Sequence, residues 1–313
     1  MAHWIVVHLS MVASDMKKYI LHILLFFIIV AVVDMTIGFA FKYLQSIAGG
    51  STGAEYYVCK KSNENILVMG SSRASHHYVS KILADSLRMT CYNGGQDGNG
   101  IVMQYGRWKM ISKRYVPKVL IYDIEPSFDL SVNDNSRYID RLKPYATDSD
   151  VNGYIAGLFP LERLKMLSKM YCFNYKFLEV FSDCVRPANT NGGYKPNMNH
   201  IRQEVIDAEP IVKRYEYKEA DEIKMQCLAN LIEEAKEMGV IVVLVSSPYW
   251  RGYPEIDLHL VKNLAEKMNV PFIDYANSGI RNNPDWWADS MHLNDEGAHV
   301  FTSDLSKKLR ELI

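Results

Sequence analysis

The chain has 313 residues, 48% hydrophobic and 23% charged, with a formal net charge of −1. This composition fits a globular protein with a sizeable core, one domain plus additional segments. It excludes nucleic acid as the main partner, because phosphate binding needs a basic surface. No GxGxxG or Walker-type loop is present, so no cofactor is expected. The cysteines (Cys59, Cys91, Cys172, Cys184, Cys227) include no CxxC pair, so no zinc site is expected either.

The first element is YILHILLFFIIVAVVDMTIGFAF, Tyr19 to Phe41. A bilayer crossing takes about 20 apolar residues, and this run is apolar all round, so it reads as a membrane helix rather than a core helix. Lys17 and Lys18 precede it and a single Lys42 follows. The positive-inside rule then puts the N-terminus in the cytoplasm and the chain beyond Lys42 outside. Residues 16–42 are read as a single-pass anchor in the cell (inner) membrane, with the remainder periplasmic or extracellular. Residues 1–15 read as an upstream extension, because the lysines after Met16 resemble a natural start. A cleaved signal peptide is the rival reading, but its cleavage-like Ser46–Ala48 lies too far beyond the apolar core. Asp34 inside the span costs on the order of 3 kcal/mol unless paired or near the interface. It marks either a contact with another membrane protein or a carboxylate in the outer leaflet. Outside the cytoplasm disulfides persist, and Cys172 and Cys184, flanking a short helical segment, are candidates to pair.

Residues 43–63 read as a linker around GGSTG. Strands and helices then alternate. NILVMG is a buried strand, SKILADSLRM a helix, TCYNGG a short strand and turn. GIVMQYGRWKMISKRY is a helix and KVLIYDI a strand. Later ADEIKMQCLANLIEEAKEMG is an amphipathic helix, VIVVLVSS a strand, DLHLVKNLAEKMN a helix and VPFIDYA a strand. A last helix starts at Asn294 as N-cap, with Asp295 and Glu296 in its first turn. Such alternation predicts an α/β fold: a three-layer α/β/α sandwich with a central parallel sheet of about five strands. Its chemistry would sit outside the carboxyl ends of the strands. Residues 127–205 interrupt the rhythm as a helical and loop insertion on that same edge, a substrate wall or a lid.

Two stretches carry candidate chemistry. ILVMGSSRASHHY, Ile66 to Tyr78, delivers two hydroxyls to the carboxyl end of the first strand. DWWADSMHLNDEGAH places Asp289 and His292 at DxxH spacing just before the last helix. A carboxylate so placed can set the tautomer of the imidazole and steady its cationic form. A serine hydroxyl needs such a base to become a nucleophile. Alone, DxxH is more often a polar turn; with Gly-Ser-Ser at the first strand end it is considerably more specific.

With these blocks the chain, over about residues 64–313 apart from the insertion, resembles the SGNH (GDSL-like) hydrolases, a flavodoxin-like family. The resemblance implies Ser72 as nucleophile, Asp289 as orienting acid and His292 as base. It implies an oxyanion hole from the amides of Ser72 and of Gly95, in YNGGQDG. One departure matters: where the family's third block supplies an Asn, this chain reads YDIEPSFD, with Asp123 and Glu125. Losing one oxyanion donor typically costs on the order of 100- to 1000-fold in rate. Asn93, Asn99 or Arg73 are the substitutes the sequence offers. A carboxylate at the hole would have to be held away by a cation, Arg73, Arg137 or Arg141, and so keep a low pKa.

Blander readings stand beside these. Ser71 is a cap or turn hydroxyl. Arg73 either touches substrate or pairs with Asp123 or Glu125. His76 and His77 are a solvated helix start. Trp286 and Trp287 either stack on a sugar or pin their loop to the core, and Tyr194 is a candidate to line the cleft. The chain resembles in particular the membrane-anchored SGNH proteins that serve cell-surface polymer modification. The implied function is an extracytoplasmic serine-dependent acyl-ester hydrolase or O-acyltransferase acting on an envelope glycan or related ester. The alternative is a non-catalytic binding or assembly subunit of a polysaccharide pathway.

Overall fold

The computed structural model describes residues 2–131, 136–207, 220–252 and 255–313. Five strands form one parallel sheet in the order β2-β1-β3-β4-β5. They are β1 (Ile66–Gly70), β2 (Cys91–Asn93), β3 (Val119–Asp123), β4 (Ile241–Ser246) and β5 (Phe272–Asp274). This is a doubly wound order, with helices on both faces. Every residue of β1 and β3 is buried, because a strand covered on both sides needs a continuous apolar run rather than an alternating one.

The period-2 alternation of side chains divides the core in two. Leu67, Met69, Leu120, Tyr122 and Leu244 face a layer built on α5 (Ile101–Ile111) and α11 (Glu222–Glu237). Ile66, Val68, Ile121, Val243 and Val245 face a layer built from α3 (Ser72–His77), α4 (Ser80–Leu87) and α13 (Asp295–Leu312). Asp221 caps α11 by accepting from the N–H groups of Ile223 and Lys224, and Asn294 caps α13 through Gly297 N–H. The second layer carries the candidate site: Ser72 opens α3, and His292 lies just before α13.

The N-terminal helix α1 runs from Ala2 to Ile47, and its Met16–Ile47 part is long and apolar enough to cross a membrane. The expected linker over 43–63 is helical instead: α1 continues to Ile47 and α2 covers Gly50–Lys60. Glycine and serine disfavour helix only weakly, and tertiary contacts outweigh them here. Val58 and Cys59 enter the core. Buried Glu55 accepts from Lys176 Nζ and from Arg141 at 3.2 Å.

The insertion packs in two parts. Its first part includes a 3₁₀ stretch (Ser136–Tyr145), α7 (Ser149–Leu158), α8 (Pro160–Lys165) and α9 (Phe177–Asp183). Ile139, Leu142, Val151 and Ile155 join the core beside α5. Its last part runs along α3: Lys195 N–H donates to Ser75 O at 3.0 Å, and Ile201 N–H to Trp287 O at 2.8 Å. Asp34 finds partners within the chain. Its carboxylate accepts from Ser168 Oγ at 2.5 Å, Lys169 N at 2.7 Å and Met170 N at 3.0 Å. Cys172 and Cys184 are separate thiols, Cys172 against Ser168 O and Cys184 against Leu44 O.

Candidate active site

Ser72 is presented by a sharp strand-to-helix turn. Gly70 ends β1 at φ +145°, a region that glycine alone enters freely, and a Cβ there would lie 2.7 Å from Asp123 O. Ser71 sits at the N-cap position, but its hydroxyl makes no capping bond. Ser72 follows in the first turn of α3, where backbone N–H groups have no acceptor within the helix.

The DxxH turn closes over it. Asp289 Oδ1 accepts from the N–H of Met291 at 2.7 Å and of His292 at 2.9 Å. His292 Nδ1 lies 3.1 and 3.0 Å from the two Asp289 oxygens. His292 Nε2 lies 2.8 Å from Ser72 Oγ. With the Nδ1 proton donated to Asp289, Nε2 is the acceptor for the Ser72 hydroxyl. Partial burial opposes ionisation of Asp289, but the bonds from His292 and Met291 outweigh it and hold the carboxyl below the usual range. The His292 side chain keeps 20% of its surface exposed, so the group is reachable from solvent.

No protein-family model and no curated protein matches the chain. Solved structures similar to it include the following three. A candidate acylhydrolase from Bacteroides fragilis NCTC 9343 is 13% identical over 81% of this chain and 89% of its own, with a TM-score of 0.38. A two-domain esterase active on acetylated mannans is 14% identical over 79% of this chain and 48% of its own, at 0.42. A candidate lipolytic protein of the G-D-S-L family from Desulfitobacterium hafniense DCB-2 is 10% identical over 78% of this chain and 98% of its own, at 0.38. What singles out this site is its own geometry.

The other sequence candidates divide. Gly95 packs against α3 so closely that a Cβ would lie 2.3 Å from Ser75 N, but its N–H is given to Asn93 Oδ1 at 2.9 Å. Asn93 is a bracket, not an oxyanion donor: its Nδ2 donates to Ala74 O at 2.6 Å and Tyr78 O at 2.8 Å. Asn99 gives one N–H to Asp97 O at 2.8 Å, which leaves its second amide hydrogen.

Arg73 does not face substrate. It is buried, 3.8 Å from Asp123 and donating to Ile124 O at 3.1 Å. Asp123 also accepts from Tyr78 O–H at 2.7 Å and Ser247 N–H at 3.0 Å, so it is turned away from Ser72. Contrary to the sequence expectation, its carboxyl is not low: burial pushes it up, against the pull of Arg73. Arg141 serves Glu55 and Glu179 instead, and the side chain of Arg137 lies outside the described residues.

Trp287 is fully buried and packs on Trp250, so it pins the loop and offers no sugar platform. Trp286 lines a separate hollow with Tyr275 and Lys308. Tyr194 is buried, donates to Asp295 at 2.8 Å and borders a pocket of about 730 Å³ with Ser80 and His299. Neither hollow is lined by Ser72 or His292.

Sequence reasoning missed His77 and Ser247. His77 is fully buried, not solvated. Its Nε2 accepts from Leu293 N–H at 3.0 Å, and its Nδ1 lies 3.0 Å from Ser247 Oγ. Burial, with His292 and Arg73 nearby, keeps its pKa well below the usual histidine value, so it is the neutral ring. It ties the residue after His292 to the helix that carries Ser72. His76 is half-buried, with Nδ1 donating to Lys195 O at 2.7 Å and its ring 5.5 Å from that of His292. Nothing local marks these roles, because their partners are far away in the chain.

Proposed function

We propose that the chain is a serine-dependent acyl-ester hydrolase or O-acyltransferase of the SGNH type. It is held outside the cytoplasm by its N-terminal helix and acts on a glycan or related ester of the cell envelope. The observation that carries this reading is the 2.8 Å approach of Ser72 Oγ to His292 Nε2, backed by Asp289. As Ser72 attacks the acyl carbon, His292 takes its proton and Asp289 steadies the imidazolium. His292 then returns the proton to the leaving alcohol. Water or a glycan hydroxyl next attacks the acyl-enzyme, with His292 again as base. The oxyanion is met by Ser72 N–H and the second amide hydrogen of Asn99. Gly95 N–H joins only where Asn93 releases it. His76, Asp97 and Lys195 beside His292 give the entrance a polar rim suited to a hydroxyl-rich substrate.

Two observations favour the non-catalytic alternative: the Gly95 amide is already engaged, and no Asn occupies residues Asp123 to Glu125. Turnover of a simple acetyl ester separates the two. The catalytic reading expects hydrolysis by the wild type that Ser72→Ala abolishes. No turnover with any ester, together with a biological role that survives Ser72→Ala, would establish the binding subunit instead.

A further inference from the structure

The insertion exposes an apolar face that the chemistry at Ser72 does not use. Leu161, Leu164, Leu167, Leu178 and Val185 are 70–87% exposed, more so than most residues of α1 itself. Single exposed leucines are ordinary, but this many on one short segment mark a candidate binding face. This one adjoins the membrane helix. Phe41 of α1 packs on Phe173, Phe177 and Phe181, with ring centroids 5.6, 4.8 and 5.2 Å apart. Seven residues earlier on α1, Asp34 is held by Ser168, Lys169 and Met170, next to Leu167.

These contacts set a depth. At about 1.5 Å per residue, Asp34 lies about 24 Å and Phe41 about 35 Å along α1 from Lys18. A hydrocarbon layer about 30 Å thick, entered at Lys18, therefore ends between them. Both residues are bound by the insertion. The segment from α8 to α9 must then sit at the outer boundary of the same layer. Exposed Arg163 stands among the leucines, where it can reach lipid headgroups, while Lys165 and Arg186 pair with Glu162 at 2.8 Å and Asp183 at 3.2 Å.

We propose that residues 161–185 are an interfacial membrane wedge, with lipid acyl chains as the occupant of their apolar face. This rests on the reading of α1 as a membrane anchor. The wedge explains a carboxylate inside the span: Asp34 receives its donors from a loop that dips into the outer leaflet. It also fixes the height of the whole domain above the bilayer through the α5 layer, so that Ser72 works on envelope esters near the membrane.

The test uses the full chain alone in vesicles of phosphatidylethanolamine and phosphatidylglycerol, with an apolar photoactivatable diazirine that partitions into the bilayer. Labelled peptides are mapped by mass spectrometry. The wedge predicts labelling of both α1 and 161–185, each on the order of tenfold above peptides from α11. The triple variant Leu161→Ser, Leu164→Ser, Leu178→Ser alters only exposed side chains; it should lose most of the label in 161–185 and keep it in α1. Labelling confined to α1 overturns the wedge and leaves the anchor standing. Labelling of neither segment overturns the anchor itself.

Discussion

Asn93 and Asn99 carry the same side chain and are held differently. Asn93 spends both amide hydrogens on α3 and the residue that follows it, at Ala74 O and Tyr78 O, and its oxygen on Gly95. Asn93→Ala should therefore lower stability by about 1–3 kcal/mol, the usual result of leaving buried carbonyls unpaired, read as a drop in thermal midpoint. Asn99→Ala should leave the midpoint nearly unchanged and reduce kcat by on the order of 100-fold with KM little altered, as for a donor engaged only in the transition state. If KM rises while kcat holds, Asn99 binds substrate and the hole lies elsewhere. His77 supplies a pH signature. Its folded pKa lies well below the unfolded value, so its stabilisation is complete above about 6.5 and fades as the pH falls below it. Asp129, pushed up to about 7 by burial, acts in the opposite sense, losing its contribution as the pH rises toward 7. The clean readout is thus the difference between wild type and His77→Gln. The gap in midpoint between them should shrink from pH 7.5 to 5; a constant gap would mean that His77 does not stay neutral in the fold.

At the scale of elements, the buried clamp of α2 on the insertion is the feature most exposed to a single change. Glu55→Gln would strand Lys176, whose side chain has no exposed surface. Breaking one side of such a buried pair costs about 3–5 kcal/mol, so thermal unfolding should show α2 and the insertion loosening first. That clamp also explains what the sequence hid. Strands β1, β3 and β4 were legible as apolar runs bounded by turns, and the short β2 and β5 by their place in the strand–helix alternation. The Ser72 turn and the DxxH turn were legible because their spacing is local. Helix α2 was not, since its stability comes from Lys176 and Arg141, more than eighty residues away. The same distance conceals the engagement of Gly95 by Asn93 and the burial of Trp287. Gly95→Ala tests the packing of loop against helix directly. Its Cβ would press on Ser75 N, at a typical overpacking cost of about 1–3 kcal/mol. The shift of α3 should reduce kcat as well.

At the scale of the molecule, the proposed anchor α1 would decide where the site works. Under the positive-inside rule, Lys17 and Lys18 before the apolar run predict that residues beyond Lys42 lie outside the cytoplasm. Protease added to intact spheroplasts should digest the domain, and full protection would reverse the orientation. The central claim is narrower and concerns Ser72. An activated serine reacts with a fluorophosphonate and an idle hydroxyl does not, because only a base-assisted oxygen is nucleophilic enough. The decisive measurement is fluorophosphonate labelling of the full-length protein in membranes, with the modified peptide identified by mass spectrometry. The account predicts a single adduct on Ser72, absent from Ser72→Ala and strongly reduced in His292→Ala. An unlabelled wild type, or an adduct on another residue, would contradict it.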